Sequence, residues 1–360
     1  MITSDIRILH ITNNMGYGGV QKIIYQLSEG TKEAFSKVVV ASSGGVYVQR
    51  LQEIGVDHYT IPDVSTKKIS EIIQIIKTLD KIIIENKINV IQCHHRMAVL
   101  FAKRYKDKVK IIFNNHTTYS NKALFTHCIL KNVKIIAVGA QAKKNVVEYF
   151  KIPDKNVVVI NNTVDEYKGE FNEVEEIEKK RHLGNFIVLN VGRMHPQKAM
   201  NYYLDAAKIL VDKGYAITFF IAGDGPLRKA LEQQIQTLHI EDNVVLLGFR
   251  KDVPNVMSQA DVIVMTSICE GLPLTPIEAF SVRKAVIATN IDGTNEVIID
   301  KYNGLLAESK DAKSIAEKIE YLYLNRNLLD TYNSNAYDTY VNKFSPDKFL
   351  EQYLDYYSKL

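Results

Sequence analysis

At 360 residues the chain is longer than one hydrophobic core usually supports, so two domains are expected. Hydrophobic residues make up 46% and charged residues 24%, ordinary values for a globular protein that argue against a disordered or fibrous chain. Three widely spaced cysteines (Cys93, Cys128, Cys269) exclude a disulfide framework, and no apolar run approaches the ~20 residues needed to cross a bilayer. The first residues are expected to enter a strand directly, which would leave no room for a signal peptide. A cytoplasmic protein is expected.

Short apolar runs alternate with helical segments, the pattern of βα units and parallel sheets. Strands are expected at 7–12, 38–41, 58–61, 90–93, 110–113, 134–138 and 157–160. Amphipathic helices at 20–29 and 69–85 lie among them. A second array places strands at 186–190, 216–221, 244–247, 262–265 and 285–289, with helices at 199–213, 226–237, 275–281 and 312–324. The stretch from Glu166 to His182 is charged and lacks buried-strand signals. The expected organisation is a first domain at 1–165, a linker at 166–184, a second domain at 185–344, and a terminal helix at 345–360 that returns to pack on the first domain. There is no internal repeat and no low-complexity segment. The fold class is α/β, with two Rossmann-like domains facing a central cleft.

The net charge of +4 is unevenly spread. Residues 1–165 carry 23 Lys/Arg against 13 Asp/Glu, or +10; residues 166–360 carry 22 against 28, or −6. Residues 101–150 hold ten basic residues opposed only by Asp107 and Glu148. Such a face suits an anionic membrane leaflet, each basic residue near the surface contributing about 1 kcal/mol; a solvated, Lys-rich surface explains it equally well. Nucleic acid is not expected as a partner, because no stacking aromatics are interleaved with these charges and the second half is acidic.

Candidate chemistry concentrates at strand ends. Glu270-Gly-Leu-Pro-Leu-Thr-Pro-Ile-Glu278 follows a near-continuous apolar run and opens a helix, with Thr275 as expected N-cap, Pro276 at the first helical position and Glu278 in the first turn. Unpaired N–H groups at a helix start form an anion site, and carboxylates beside it accept hydrogen bonds from sugar or ribose hydroxyls. After strand 186–190, Arg193 and Lys198 bracket a Pro-containing loop, and two cations there suit a diphosphate. Gly223 and Gly225 free the backbone of another strand-to-helix turn, although a tight turn with Asp224 capping reads nearly as well. Phe249 and Arg250 end a strand where backbone could meet a base. In the first half, Gly16, Gly18 and Gly19 follow the first strand without the spacing of a dinucleotide fingerprint. His94 and His95 end a strand and are assigned to packing or capping. His116, after the 110–113 strand, is a candidate contact for a donor phosphate or sugar.

Taken together, Gly18-Gly19, His116, Asn162 to Asp165, Gly192-Arg193 to Lys198, Gly223-Asp-Gly-Pro226, Glu270 to Glu278 and Asn303-Gly-Leu305 occur in the order seen in one family. Over essentially its whole length the chain resembles a retaining glycosyltransferase of GT-B fold, family 4 (GT4), also called glycosyl transferases group 1. The resemblance implies roles. Arg193 and Lys198 would neutralise the donor diphosphate, and Glu278 would bind the ribose. Glu270 would contact sugar hydroxyls, while amides near Leu272, Pro273, Leu274 and Thr275 would hold the β-phosphate. Gly192 and Gly223 would belong to the donor site; Gly18 and Gly19 would approach the phosphates; His116 would sit against the transferred sugar. No metal and no cofactor are implied.

The implied activity is transfer from a nucleotide-sugar donor, UDP before GDP, to a hydroxyl acceptor, a saccharide or lipid-linked saccharide of capsule, exopolysaccharide or cell-envelope synthesis. That places the protein in the cytoplasm, at the inner face of the plasma membrane if the basic face binds lipid. Three departures are visible: Gly18-Gly-Val-Gln-Lys22 replaces the usual Gly-Gly-Ala-Glu-Arg, Asn162-Thr-Val-Asp165 replaces Asn-Gly-Val-Asp, and Ala199 stands where a glycine is usual. A nucleotide-sugar epimerase or phosphorylase of the same fold, or a catalytically silent sugar-nucleotide-binding subunit, are the alternatives.

Overall fold

The computed structural model describes residues 5–119 and 121–360. They form two compact units: residues up to Asn162 together with Pro346–Leu360, and Thr163–Ser345.

The first unit is built on seven strands: β1 (Arg7–Ile11), β2 (Lys37–Ser42), β3 (Asp57–Thr60), β4 (Val90–Cys93), β5 (Lys110–Asn115), β6 (Lys134–Ala137) and β7 (Val157–Val159). All pair in parallel in the order β3-β2-β1-β4-β5-β6-β7. The strands are Val/Ile-rich because helices cover both faces of a parallel sheet, leaving no solvated side to reward alternation. The sheet order reverses between β1 and β4, so loops after these two strands diverge and leave a crevice, where ligands bind open α/β sheets.

The helix Pro346–Ser358 belongs to this first unit. Its buried residues Phe349, Tyr353 and Tyr357 recur every four positions and join Ile8, Ile24, Val38, Val90 and Ile112 in one core. A terminal helix packing back on the first Rossmann-like unit is thus observed.

The second unit carries β8 (Phe186–Val191), β9 (Ile217–Ala222), β10 (Val244–Gly248), β11 (Val262–Met265), β12 (Val286–Thr289) and β13 (Gly304–Ala307), in the parallel order β10-β9-β8-β11-β12-β13. Every residue of β8 and β9 is buried. Here the order reverses between β8 and β11. Strand β13 was not expected from the sequence; it is four residues long and opens on Gly304, where a Cβ would lie 2.1 Å from the Val286 carbonyl oxygen. The neighbouring Asn303 donates to Val297 O and Thr339 Oγ1 and accepts from Ile299 N, so Asn303-Gly-Leu305 is accounted for by packing.

The 166–184 stretch lies within the second unit and contains a short helix, Glu175–His182, anchored by buried Ile177. Charge on every other face hid this helix from the sequence pattern.

Candidate functional site

The four loops at the carboxyl ends of β8, β9, β11 and β12 brace one another. Met194 N donates to Asp224 O, tying the loop after β8 to the one after β9, and Gly223 N donates to Gly248 O at the end of β10. Gly223 has φ +154, and a Cβ there would sit 1.8 Å from the Gly192 carbonyl oxygen, so only glycine allows this approach. Gly223 therefore faces another loop's backbone. Gly293, at φ +86 after β12, does the same against Gly271 O, 2.4 Å from its notional Cβ. Gly293 is a residue the motifs above do not include, although Asp292-Gly-Thr294 at a strand end is a signal for such a turn.

Lys198 and Glu270 meet in this braced edge. Lys198 Nζ is 2.7 Å from Glu270 Oε1, and the two side chains are 21% and 11% exposed. The stem of Lys198 runs past Gly192, whose missing side chain leaves room for it. Gln197 supports the pair: its Nε2 donates to Cys269 O at 2.8 Å and lies 3.4 Å from Glu270 Oε2, while its carbonyl accepts from Ile268 N. Thr266 Oγ1 donates to Lys198 O at 2.9 Å. Arg193, on the same loop, is exposed and has no hydrogen bond or ion pair among the described residues. Ala199 closes the loop at φ +46, ψ +43, the left-handed conformation that explains why glycine is usual there.

The helix that follows Glu270 is Leu274–Ser281, one residue longer at its start than expected. Pro273, in extended conformation, occupies the N-cap without a side-chain cap, and Thr275 and Pro276 lie inside the first turn. Glu278 is thereby moved to the second turn, where it is half-buried. Proline is tolerated at Pro276 because the first-turn N–H groups have no intrahelical acceptor to lose. The N–H groups of Leu274 and Thr275 have no intrahelical acceptor and no side-chain cap, and the preceding Leu272 and Pro273 are buried.

At the end of β10, Phe249 is exposed, but Arg250 is engaged. Its Nε and Nη2 donate to Asp252 Oδ1 and Oδ2 at 2.9 and 2.7 Å, and this contact holds the Asp252 carboxyl below its usual range. Arg250 is thus committed to its own loop, and the backbone carbonyl of Gly248 is taken by Gly223 N.

In the first unit, Gly18 is the N-cap of the helix Gly19–Thr31, again without a side-chain cap, after β1. His95 caps its helix by accepting from Met97 N at 3.3 Å, as expected. His94 does more than pack. Its Nε2 is 3.1 Å from His10 Nδ1 and its Nδ1 is 3.0 Å from His116 Nε2, with the His94 and His116 rings stacked at 5.3 Å. Burial pushes the pKa of His10 down to about 3 and that of His116 to about 4, and burial together with the two neighbouring histidines pulls His94 well below its ordinary value. All three are neutral near pH 7. His10 was missed in the sequence; the signal was a polar residue at alternate positions of three strands that become neighbours (His10; Gln92 and His94; Asn114 and His116).

Two Rossmann-like units, each with a switch-point crevice, and a terminal helix returned to the first define the GT-B class of fold. The chain belongs to the glycosyltransferase family described by two matching models: "Glycosyltransferase Family 4" over residues 17–167 and "Glycosyl transferases group 1" over residues 172–339. It is 29% identical over 231 residues to an Escherichia coli protein named UDP-Gal:alpha-D-GlcNAc-diphosphoundecaprenol alpha-1,3-galactosyltransferase, covering 62% of this chain and 59% of that one. The chain thus spans about three fifths of that relative's length. Among solved structures, a glycosyltransferase from Rickettsia africae superposes with a TM-score of 0.86 at 22% identity, covering 99% of this chain and 98% of that one. Anabaena HepE in complex with UDP gives 0.84 at 20% identity, covering 99% and 100%. Among the described residues, no helix is long and apolar enough to cross a membrane.

Proposed function

We propose that the chain transfers a sugar from a nucleotide-diphosphate donor to a hydroxyl acceptor with retention at the anomeric carbon. The observation that carries this reading is the Lys198–Glu270 pair at the switch point of the second sheet, four residues ahead of an uncapped helix N-terminus. A cation, a carboxylate and free amides at one sheet edge match a ligand that is anionic at one end and hydroxyl-rich at the other. Arg193 and Lys198 neutralise the diphosphate and its developing leaving-group charge, Glu270 binds sugar hydroxyls, and Glu278 binds the ribose. The amides of Leu274 and Thr275 receive the β-phosphate. From the first unit, Gly18 and Gly19 are assigned to the phosphates and His116 to the transferred sugar. The bond from C1 to the β-phosphate oxygen breaks as the acceptor oxygen bonds to C1 on the same face, and the acceptor proton passes to that phosphate. Cationic side chains and helix amides supply the electrostatic stabilisation, so no metal is required.

UDP is favoured over GDP, in keeping with the UDP-sugar in the E. coli relative's name and the UDP in the HepE complex. That relative's name also motivates the acceptor: a lipid-linked saccharide of cell-envelope glycan synthesis, handled at the cytoplasmic face of the membrane. The test is a panel of nucleotide-sugars scored first for thermal stabilisation and then for product. A ligand at 100 times its Kd adds about 2.7 kcal/mol, a shift of several degrees. Absence of a shift with every UDP- and GDP-sugar, or isomerisation of the donor without transfer, would reject the proposal.

The first unit suits the lipid side of this function. Leu100, Leu124 and Phe125 are exposed on the helices Arg96–Ala102 and Ala123–Leu130, and Lys103, Arg104, Lys106 and Lys122 lie close to them in sequence. Apolar side chains among cations are what an anionic bilayer surface retains. Equal co-sedimentation with neutral and anionic vesicles would reject membrane contact.

A further inference from the structure

The three histidines are joined to the terminal helix by a second line of hydrogen bonds. Tyr357 OH donates to Gln92 Oε1, and Gln92 Nε2 donates to Asn114 Oδ1 at 3.1 Å. Tyr353 OH lies against the same amide, 2.9 Å from Nδ2 and 3.0 Å from Oδ1, and Asn114 Nδ2 is 3.5 Å from His116 Nε2. Strands β1, β4 and β5 are adjacent, and side chains at alternate positions share a face, which brings these polar groups into one buried seam.

The seam has a direction. A neutral imidazole carries one N–H, so each link fixes the next. His10 is fully buried and its Nε2 has no hydrogen-bonding partner among the described residues. A proton placed there would be a buried donor with nothing to receive it, and orphaned buried N–H groups are rarer than under-used acceptor lone pairs. His10 therefore keeps its proton on Nδ1 and donates to His94 Nε2. His94 then holds its own proton on Nδ1 and donates to His116 Nε2. Independently, the Asn114 amide, oriented by Gln92, presents N–H to that same nitrogen of His116. Both lines leave His116 protonated on Nδ1.

We infer that His94, Asn114 and Tyr353 are positioning residues that hold His116 as the Nδ1–H tautomer, so that it meets the transferred sugar as a donor to a hydroxyl oxygen. This rests on the reading of His116 as a sugar contact. None of the three positioning residues touches substrate; each acts through the imidazole.

The experiment uses the full chain labelled with 15N-histidine, read by long-range 1H–15N NMR at neutral pH. His116 should show a protonated Nδ1 and an unprotonated Nε2. His94→Phe keeps a stacked ring but removes the donor to His116; it should admit the Nε2–H form and lower kcat about 10–100-fold, as loss of an orienting partner does elsewhere, with donor KM little changed. Tyr353→Phe keeps the helix packing and removes only the hydroxyl; the same change in tautomer is expected to a smaller degree. A native His116 protonated on Nε2 overturns the inference, whether or not the variants fold. So does a folded His94→Phe protein with the native tautomer and kcat. His116→Ala separates the two readings: full activity there rejects the sugar contact itself, whereas lost activity with an Nε2–H native tautomer rejects the positioning alone.

Discussion

Lys198 and Glu270 lie 2.7 Å apart on loops that leave neighbouring strands, so the cation proposed to bind a diphosphate rests against the carboxylate proposed to bind a sugar. Both groups are thereby held in place before a ligand arrives, and neither is an isolated charge in a partly dry site. In the proposed function, binding would replace one attraction by another, the ammonium turning to phosphate oxygens as the carboxylate gains hydroxyl donors.

Removing the ammonium should therefore cost more than affinity. Lys198→Ala is expected to lower kcat about 10²–10³-fold, the usual effect of losing one preorganised group that stabilises leaving-group charge. Lys198→Arg should recover part of this, since charge persists and geometry changes. Initial rates over a range of donor concentrations decide it, and a fall of less than about threefold in kcat would remove Lys198 from the chemistry.

Ala199 offers the opposite kind of change. Its left-handed backbone costs an alanine about 1 kcal/mol that glycine does not bear. Ala199→Gly should raise the melting temperature by roughly 2 °C and leave the loop's hydrogen bonds in place. A lower melting temperature would mean that the buried methyl contributes more than the backbone strain costs.

Gly223→Ala should be strongly destabilising. The added methyl would fall 1.8 Å from the Gly192 carbonyl oxygen, and neither loop can withdraw without breaking the bonds that tie them. A loss of at least about 2 kcal/mol, or 4–8 °C in melting temperature, is expected. Weaker donor binding should accompany it, because the same movement displaces Lys198. A melting temperature within a degree of the native value would contradict the geometry.

Acid should weaken the first unit through its buried histidines. Their folded pKa values lie below the ordinary value of 6.5, near 3 for His10 and 4 for His116. Between those values and 6.5 the unfolded chain binds protons that the folded chain refuses, so stability is complete above about pH 6.5 and is lost as pH falls toward 4. His10→Leu should flatten this slope in a thermal-unfolding series from pH 7.5 to 4.5. An identical slope in both proteins would show that carboxylates elsewhere govern the acid response.

The sheets were legible because parallel strands buried on both faces are continuous apolar runs, and twelve of the thirteen could be placed within a residue or two. β13 could not, being short and defined by close backbone approach at Gly304. Lys198 and Glu270 were legible as charged residues at strand ends beside turn glycines, and their contact follows from β8 and β11 being neighbours. The start of the helix at Leu274 was not, since proline is compatible with any position of a first turn and so marks the beginning only loosely. The histidine seam was hidden for a different reason. Its members come from three strands separated by dozens of residues, and a lone polar residue in each apolar run looks incidental until the sheet order is known.

The first unit is discontinuous along the chain: Phe349, Tyr353 and Tyr357 complete a core whose other members all precede Ile160 or include it, with the entire second unit inserted between. During vectorial synthesis that core must wait, open on one side, until the inserted unit has emerged. A single cut cannot yield the first unit intact, and dissecting the protein into working halves requires supplying the 346–360 helix to the amino-terminal piece, fused or in trans.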